Sequence, residues 1–176
     1  MAGWLPFVPL VVMLLVASVL DLRERRIPNW LTLSLLVGGM VQAGLGSGTV
    51  SPASSGLGIL VGFVLMFLPF ALGALGGGDV KLLAAVGAWL GPMPTVGVFA
   101  AAAVVGMIIV LAQCALTGRL STLFRNSSML AMNVVSVRHL GPSHLESTAS
   151  ECRSVEKPLP YAIPILLGTV LVLAWH

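Results

Sequence analysis

Leu57-Gly58-Ile59-Leu60-Val61-Gly62-Phe63-Val64-Leu65-Met66-Phe67-Leu68-Pro69-Phe70-Ala71-Leu72-Gly73-Ala74-Leu75 carries no charge and runs directly into Gly76-Gly77-Gly78-Asp79. A helix needs about 20 apolar residues to cross about 30 Å of hydrocarbon, and this segment has that length and character. It belongs to an uncharged run of 52 residues from Ile27 to Gly78, too long for one span and suited to two. The break between them is the stretch from Gly44 through Gly48 and Pro52 to Gly56, which is dense in turn residues. Leu82 to Gly118 is uncharged for 37 residues and breaks at Gly91-Pro92-Met93-Pro94. Working outward, we expect six spans near 4–21, 30–46, 57–75, 80–90, 95–116 and 160–175, with a polar loop at 117–159. The expected fold is all-α, a polytopic membrane protein forming a single integral-membrane domain over 1–176.

Composition agrees. Of the 176 residues 57% are hydrophobic and 9% charged, and mean hydropathy is +1.04. A soluble domain carries about 25% charged residues because its surface faces water. A soluble enzyme, a disordered chain and a nucleic-acid-binding domain all fit this composition poorly, and no nucleic-acid partner is expected. The sequence pI near 9.4 rests on nine bases scattered among apolar runs. Cys114 and Cys152 make no framework, no CxxC occurs, and His139, His144 and His176 show no ligand spacing. No metal and no cofactor are therefore expected.

Charge also orients the chain. Met1-Ala2-Gly3-Trp4 has no base before the first apolar run, and Arg23, Arg25 and Arg26 follow it, the reverse of a secretory signal. The run reads as a retained helix with its N-terminus outside the cytoplasm. With six spans, both termini lie outside and all nine Lys and Arg fall on the cytoplasmic side. The fourth span is the weak link: its eleven residues rise only about 16 Å. It crosses if it lies in a protein-lined or thinned zone, or if it continues through the prolines with a kink. Were it not to cross, the 117–159 loop, with five of the nine bases, would face out. In that loop Leu120, Leu123, Leu130, Val134 and Val137 approximate a helical stripe, which fits an interfacial helix or a partly disordered loop.

This topology brings two acids to one face. Asp21 ends the first span and Asp79 begins the fourth, although 58 residues separate them. Two readings stand: helix-end residues in the headgroup zone, or a functional pair, since acids at membrane helices are costly and usually functional. Gly76, Gly77 and Gly78 serve a tight turn, or give clearance for an extended chain beside Asp79. Facing carboxylates suit hydrolysis. Close together they do not both ionise easily, so one takes a proton from water while the other, protonated, polarises a carbonyl and serves the leaving amine.

Asp21-Leu22-Arg23-Glu24-Arg25-Arg26-Ile27-Pro28-Asn29 before a membrane helix, followed by Gly76-Gly77-Gly78-Asp79-Val80-Lys81, resembles the type IV prepilin peptidases, bacterial membrane aspartic proteases of the Gly-x-Gly-Asp type. Pro160-Tyr161-Ala162-Ile163-Pro164 is similar to the opening of that family's final helix, and the resemblance covers about residues 10–175. It implies an aspartic endopeptidase of the bacterial inner membrane that cuts the leader from prepilin or pseudopilin precursors at the cytoplasmic face. It implies Asp21 and Asp79 as the catalytic pair, with membrane lipid and the precursor as partners. Larger members carry an N-terminal methyltransferase region with paired CxxC motifs. This chain opens on its first span, so N-methylation is not expected, and the compact form resembles the peptidases of tight-adherence (Flp-type) pilus systems.

Supporting residues carry alternatives. Lys81 either stabilises a carboxylate or oxyanion, or sets topology. Pro28 begins the second helix, where its missing N–H costs nothing, and Asn29 is placed to orient the Asp21 segment. Arg23, Arg25 and Arg26 read as positive-inside anchors, and Trp4, Trp30, Trp89 and Trp175 as interfacial anchors. The competing functions are a small proton-coupled transporter using the acids as a relay, and a non-catalytic scaffold for pilus assembly. The charge bias makes a direct prediction: Cys152 resists a membrane-impermeant thiol reagent in intact cells and reacts after lysis. Labelling of intact cells would overturn the six-span topology.

Overall fold

The computed structural model describes residues 5–46, 50–71, 75–116 and 161–175. Among them are six α-helices and no strand: α1 (Val8–Glu24, after a 3-10 turn at Leu5–Phe7), α2 (Asn29–Gly44), α3 (Pro52–Ala71), α4 (Gly77–Leu90), α5 (Pro92–Leu116) and α6 (Ala162–Trp175). The chain divides into two compact units, Met1–Gly106 with Pro160–His176, and Met107–Leu159. In the second unit only the final turns of α5 are described. Trp4, Cys152, His139, His144, His176 and the expected 117–159 loop lie outside the described residues.

α4 is the centre of the first unit. Every residue from Asp79 to Leu90 is buried except Lys81. A helix that is apolar all round belongs inside a protein, and α4 packs against α2, α3 and α6, while α1 packs against α2 and α6. This explains how a helix of 14 residues, rising roughly 21 Å, is accommodated: its walls are protein. The helix does not continue through the prolines. It stops at Gly91, whose φ of 78° and ψ of −179° are a conformation that glycine adopts without strain, and α5 restarts at Pro92.

Small residues set how closely α3 approaches. Gly58 and Gly62 are one turn apart on the same α3 face. A Cβ on Gly58 would strike the Gly87 carbonyl oxygen, and one on Gly62 would come within 2.6 Å of the Leu83 carbonyl oxygen. Backbone therefore lies directly on backbone, the packing mode of helices in lipid, where close van der Waals fit replaces a hydrophobic drive. Ser55 pins the same seam by donating to the Ala88 carbonyl at 2.8 Å. On the far side of the unit, α6 meets α5 the same way: a Cβ on Gly168 would sit 2.8 Å from the Val98 carbonyl oxygen.

Three sequence expectations change. α3 begins at Pro52 rather than near 57, because Ser51 accepts the Ser54 N–H at 3.2 Å and so caps a helix whose first residue is proline. Ser51-Pro52 is thus a helix start inside what reads as turn sequence. Trp89 is not an interfacial anchor. It is 7% exposed, and its Nε1 donates to the Leu35 carbonyl at 2.7 Å. Its ring occupies a slot opened by Gly38 and Gly39 of α2. Trp30 and Trp175 are 64% and 88% exposed. Pro28 stands one residue before α2 as its N-cap, with its carbonyl accepting the Leu31 N–H at 3.1 Å.

The exterior is apolar. Val12 and Val16 of α1, Leu60 and Leu68 of α3, and Val104 and Ile108 of α5 are all exposed. A protein that leaves such side chains outward on helix after helix is built for lipid. Two helices, α3 and α5, are long and apolar enough by themselves to cross a membrane. We expect Gly58→Val to lower stability by about 1–3 kcal/mol through overpacking against the α4 backbone. Leu60→Ala, on the exposed side of α3, serves as the near-neutral comparison. Thermal unfolding in detergent measures both; equal midpoints would contradict the close α3–α4 approach.

Candidate active site

Asp21 and Asp79 reach the first unit's interior from different helices. Asp21 lies in the last turns of α1 and is 7% exposed; Asp79 lies in the first turn of α4 and is 8% exposed. α1 ends because Arg25 turns left-handed, φ 52°, with its N–H donating to the Asp21 carbonyl at 3.0 Å. That turn is a common way for a helix to stop, and it leads through Ile27 and Pro28 into α2. Arg23, Arg25 and Arg26 all remain exposed.

Each carboxylate is held by a helix start. Asp79 Oδ2 accepts the Gly76 N–H at 3.2 Å, and the Asp79 N–H donates back to the Gly76 carbonyl at 3.1 Å. This is the reach-back of an N3 acid to the residue that opens its own helix. Asp21 Oδ2 accepts the Ala162 N–H at 3.3 Å, bringing the first turn of α6 to the end of α1 across 141 residues. Both acids therefore sit at the positive end of a helix dipole, which favours a carboxylate. Each commits one oxygen to the backbone, and among the described residues nothing engages the other. The Asp21 charge acts on Asp79, and that of Asp79 on the half-buried Tyr161.

The glycines before Asp79 have separate neighbours. A Cβ on Gly78 would lie 3.2 Å from the Ile27 Cβ, one on Gly77 would lie 3.5 Å from the Phe70 ring, and one on Gly76 would meet Asp79 Oδ2 at 3.4 Å. Gly78 thus lets the Ile27-Pro28 segment rest on α4. Lys81 is exposed, and its Nζ donates to Asn29 Oδ1 at 2.9 Å. Of the residues expected from sequence, the structure brings Asp21 together with Asp79, and Asn29 together with Lys81. Tyr161 and the Ala162 N–H were not among the expected site residues. The Pro160–Pro164 segment carried a signal for them only through its resemblance, because a backbone N–H has no sequence signature. Among the described residues, no three His, Cys, Asp or Glu side chains converge as a metal site.

An all-α membrane protein with two buried acids, each at a helix start, is the class that fold and site define. A sequence profile of the Type IV leader peptidase family matches residues 8–111, which include both acids. The chain belongs to that family. It is 38% identical over 105 residues to the prepilin leader peptidase/N-methyltransferase of Pectobacterium carotovorum subsp. carotovorum, covering 56% of this chain and 37% of that one. It is 34% identical over 115 residues to the type 4 prepilin-like proteins leader peptide-processing enzyme of Escherichia coli O78:H11 (strain H10407 / ETEC), covering 61% and 43%. A prepilin leader peptidase/N-methyltransferase of Aeromonas hydrophila is 40% identical over 85 residues, covering 44% and 29%. The chain thus spans less than half the length of these relatives. No solved structure matches it.

Proposed function

We propose that this chain is an aspartic endopeptidase that removes the leader peptide from type IV prepilin or pseudopilin precursors. The observation that carries the reading is the pair itself. Asp21 and Asp79 are both buried, each is held through one oxygen by a backbone N–H, and the charge of one acts on the other. Two carboxyls in this relation share one proton. The ionised one removes a proton from water, whose oxygen attacks the scissile carbonyl carbon. The protonated one hydrogen-bonds the carbonyl oxygen. As the C–N bond breaks, a proton passes to the leaving amine, and the pair returns to its shared-proton state. The anchored oxygens keep both carboxyls in place, so little reorganisation accompanies the reaction.

In this reading the chain crosses the bacterial inner membrane six times with both termini outside, which puts the two acids at the cytoplasmic face beside the basic residues. Membership of the leader peptidase family supports the substrate class, and the names of the matched relatives point the same way. The reaction uses carboxyls as both acid and base. Processing in detergent is therefore expected to survive EDTA and serine-protease reagents; loss with EDTA that zinc restores would replace this mechanism with a metal-dependent one.

The decisive test is substitution of each acid. Asp21→Asn and Asp79→Asn are each expected to lower processing by roughly 10²–10⁴, because the amide neither accepts the water's proton nor returns it. Both variants are expected to accumulate normally, since an amide of similar shape is cheaper to bury than a carboxylate and still accepts the backbone N–H. Prepilin shortening is followed in cells at matched abundance. Near-normal processing by either variant would show that its carboxylate is structural.

A further inference from the structure

Lys81 follows Asp79 by two residues, and Asn29 follows Asp21 by eight. In a helix, residues two apart face roughly 200° away from each other. Asp79 therefore points into the protein, where it is 8% exposed, and Lys81 points outward. Its Nζ does not approach either acid. It reaches the Asn29 side-chain oxygen at 2.9 Å, joining the start of the second turn of α4 to the first residue of α2. Beside this bond, Ile27 packs on Gly78, with 3.2 Å between its Cβ and the position of a Cβ on that glycine. Ile27 also packs against the buried core. The segment leaving Asp21 is thus held to the turn bearing Asp79 at two neighbouring points, one polar and one apolar.

We propose that Asn29 and Lys81 form a positioning pair that sets the separation of Asp21 and Asp79; the inference rests on the peptidase reading above. The mechanical argument is short. Asp21 is fixed to α6 through Ala162, and Asp79 to its own helix start through Gly76. Neither bond ties one acid to the other. Nearest the acids, among the described residues, the two acid-bearing segments are tied by the Ile27–Gly78 contact and the Asn29–Lys81 bond; farther along, Trp89 joins α4 to α2 through the Leu35 carbonyl. An ammonium donating to a neutral amide oxygen gives a directed link without placing a counter-charge on either carboxylate. A Lys–carboxylate bridge at the same place would compete with the acids themselves. The pair is exposed and so contributes little to global stability, while a displacement of about 1 Å at a reacting group can cost roughly 100-fold in rate.

The test has two arms, both on the full chain. In the first, steady-state processing of a prepilin by purified protein is compared for Asn29→Ala, Lys81→Met and the double variant. Each single change is expected to lower kcat by roughly 10–100-fold with KM nearly unchanged. The double is expected to be no worse than either single, because both remove the same bond. Asn29→Gln and Lys81→Gln, which keep a neutral acceptor and a donor, are expected to recover most of kcat. A rise in KM at constant kcat would make Lys81 a substrate contact, and normal activity of Asn29→Ala would leave Lys81 as a topology-setting charge; either overturns the proposal. The second arm needs no activity. Ile27→Cys with Gly78→Cys, in a Cys114→Ser, Cys152→Ser background, places two thiols within disulfide reach. Mild oxidation is expected to cross-link them rapidly, and markedly more slowly once Asn29→Ala or Lys81→Met is added. Equal rates with and without the bond would overturn the positioning role. Loss of processing in every chain including the wild type, with cross-linking still governed by Asn29 and Lys81, would sink the peptidase reading and leave the junction standing.

Discussion

The contact of α3 backbone on α4 backbone is the constraint from which the rest follows. Gly58, Gly62 and Gly87 remove the side chains that would otherwise hold the two helices apart. Within lipid, apolar surface gives no preference for protein over acyl chains, so fit at close range has to supply the association. The seam lets α4 sink between α2 and α3, and only a helix of small and aliphatic residues such as Ala84-Ala85-Val86-Gly87-Ala88 tolerates that on all sides. Once α4 is enclosed, its length no longer has to match the membrane, because its neighbours face the lipid instead.

An enclosed short helix also explains the position of Asp79. A carboxylate in the first turn of a peripheral helix would stand in water or headgroups. In the first turn of α4 it is surrounded by protein. The desolvation that follows is opposed only in part by the Gly76 N–H and the helix dipole behind it. Asp21 presents the opposite case. It lies near the C-terminal end of its own helix, where the dipole disfavours an anion. The start of α6 opposes that field by offering the Ala162 N–H. The last helix of the chain is therefore part of the site, although the family match ends at residue 111.

Much of this was legible beforehand and for identifiable reasons. Charged residues bounded the apolar runs, turn residues from Gly44 to Gly56 marked the α2–α3 break, and Gly91-Pro92 marked the α4–α5 break because glycine and proline punctuate helices. Asp21 and Asp79 stood out because acids are scarce in such a chain. Less legible was which helix lies inside. Trp89 reads as an interfacial anchor until Gly38 and Gly39 are known to open a slot for it. Ser51-Pro52 reads as a loop until the Ser51 cap is seen. Both depend on neighbours far along the chain, which local composition does not report. The same holds for Ala162, whose contribution is a main-chain group common to every residue but proline.

The turn from Gly76 to Lys81 then shows how one short segment satisfies several demands through helical geometry alone. Gly76 supplies the N–H that Asp79 accepts, Gly78 leaves room for Ile27, Asp79 faces inward and Lys81 faces outward to Asn29. These roles are compatible because successive residues of a helix are turned by about 100° from one another. A Cβ on Gly78 would lie 3.2 Å from the Ile27 Cβ, so the segment that follows Asp21 rests against α4 here with little room to spare. A carboxylate two positions later would face Asn29 rather than the interior. The order of residues in this turn is therefore set by direction: each side chain, or its absence, occupies the face on which its partner stands. The interior face of α4 carries the acid, and α6, which packs against both α4 and α1, holds Asp21 through Ala162.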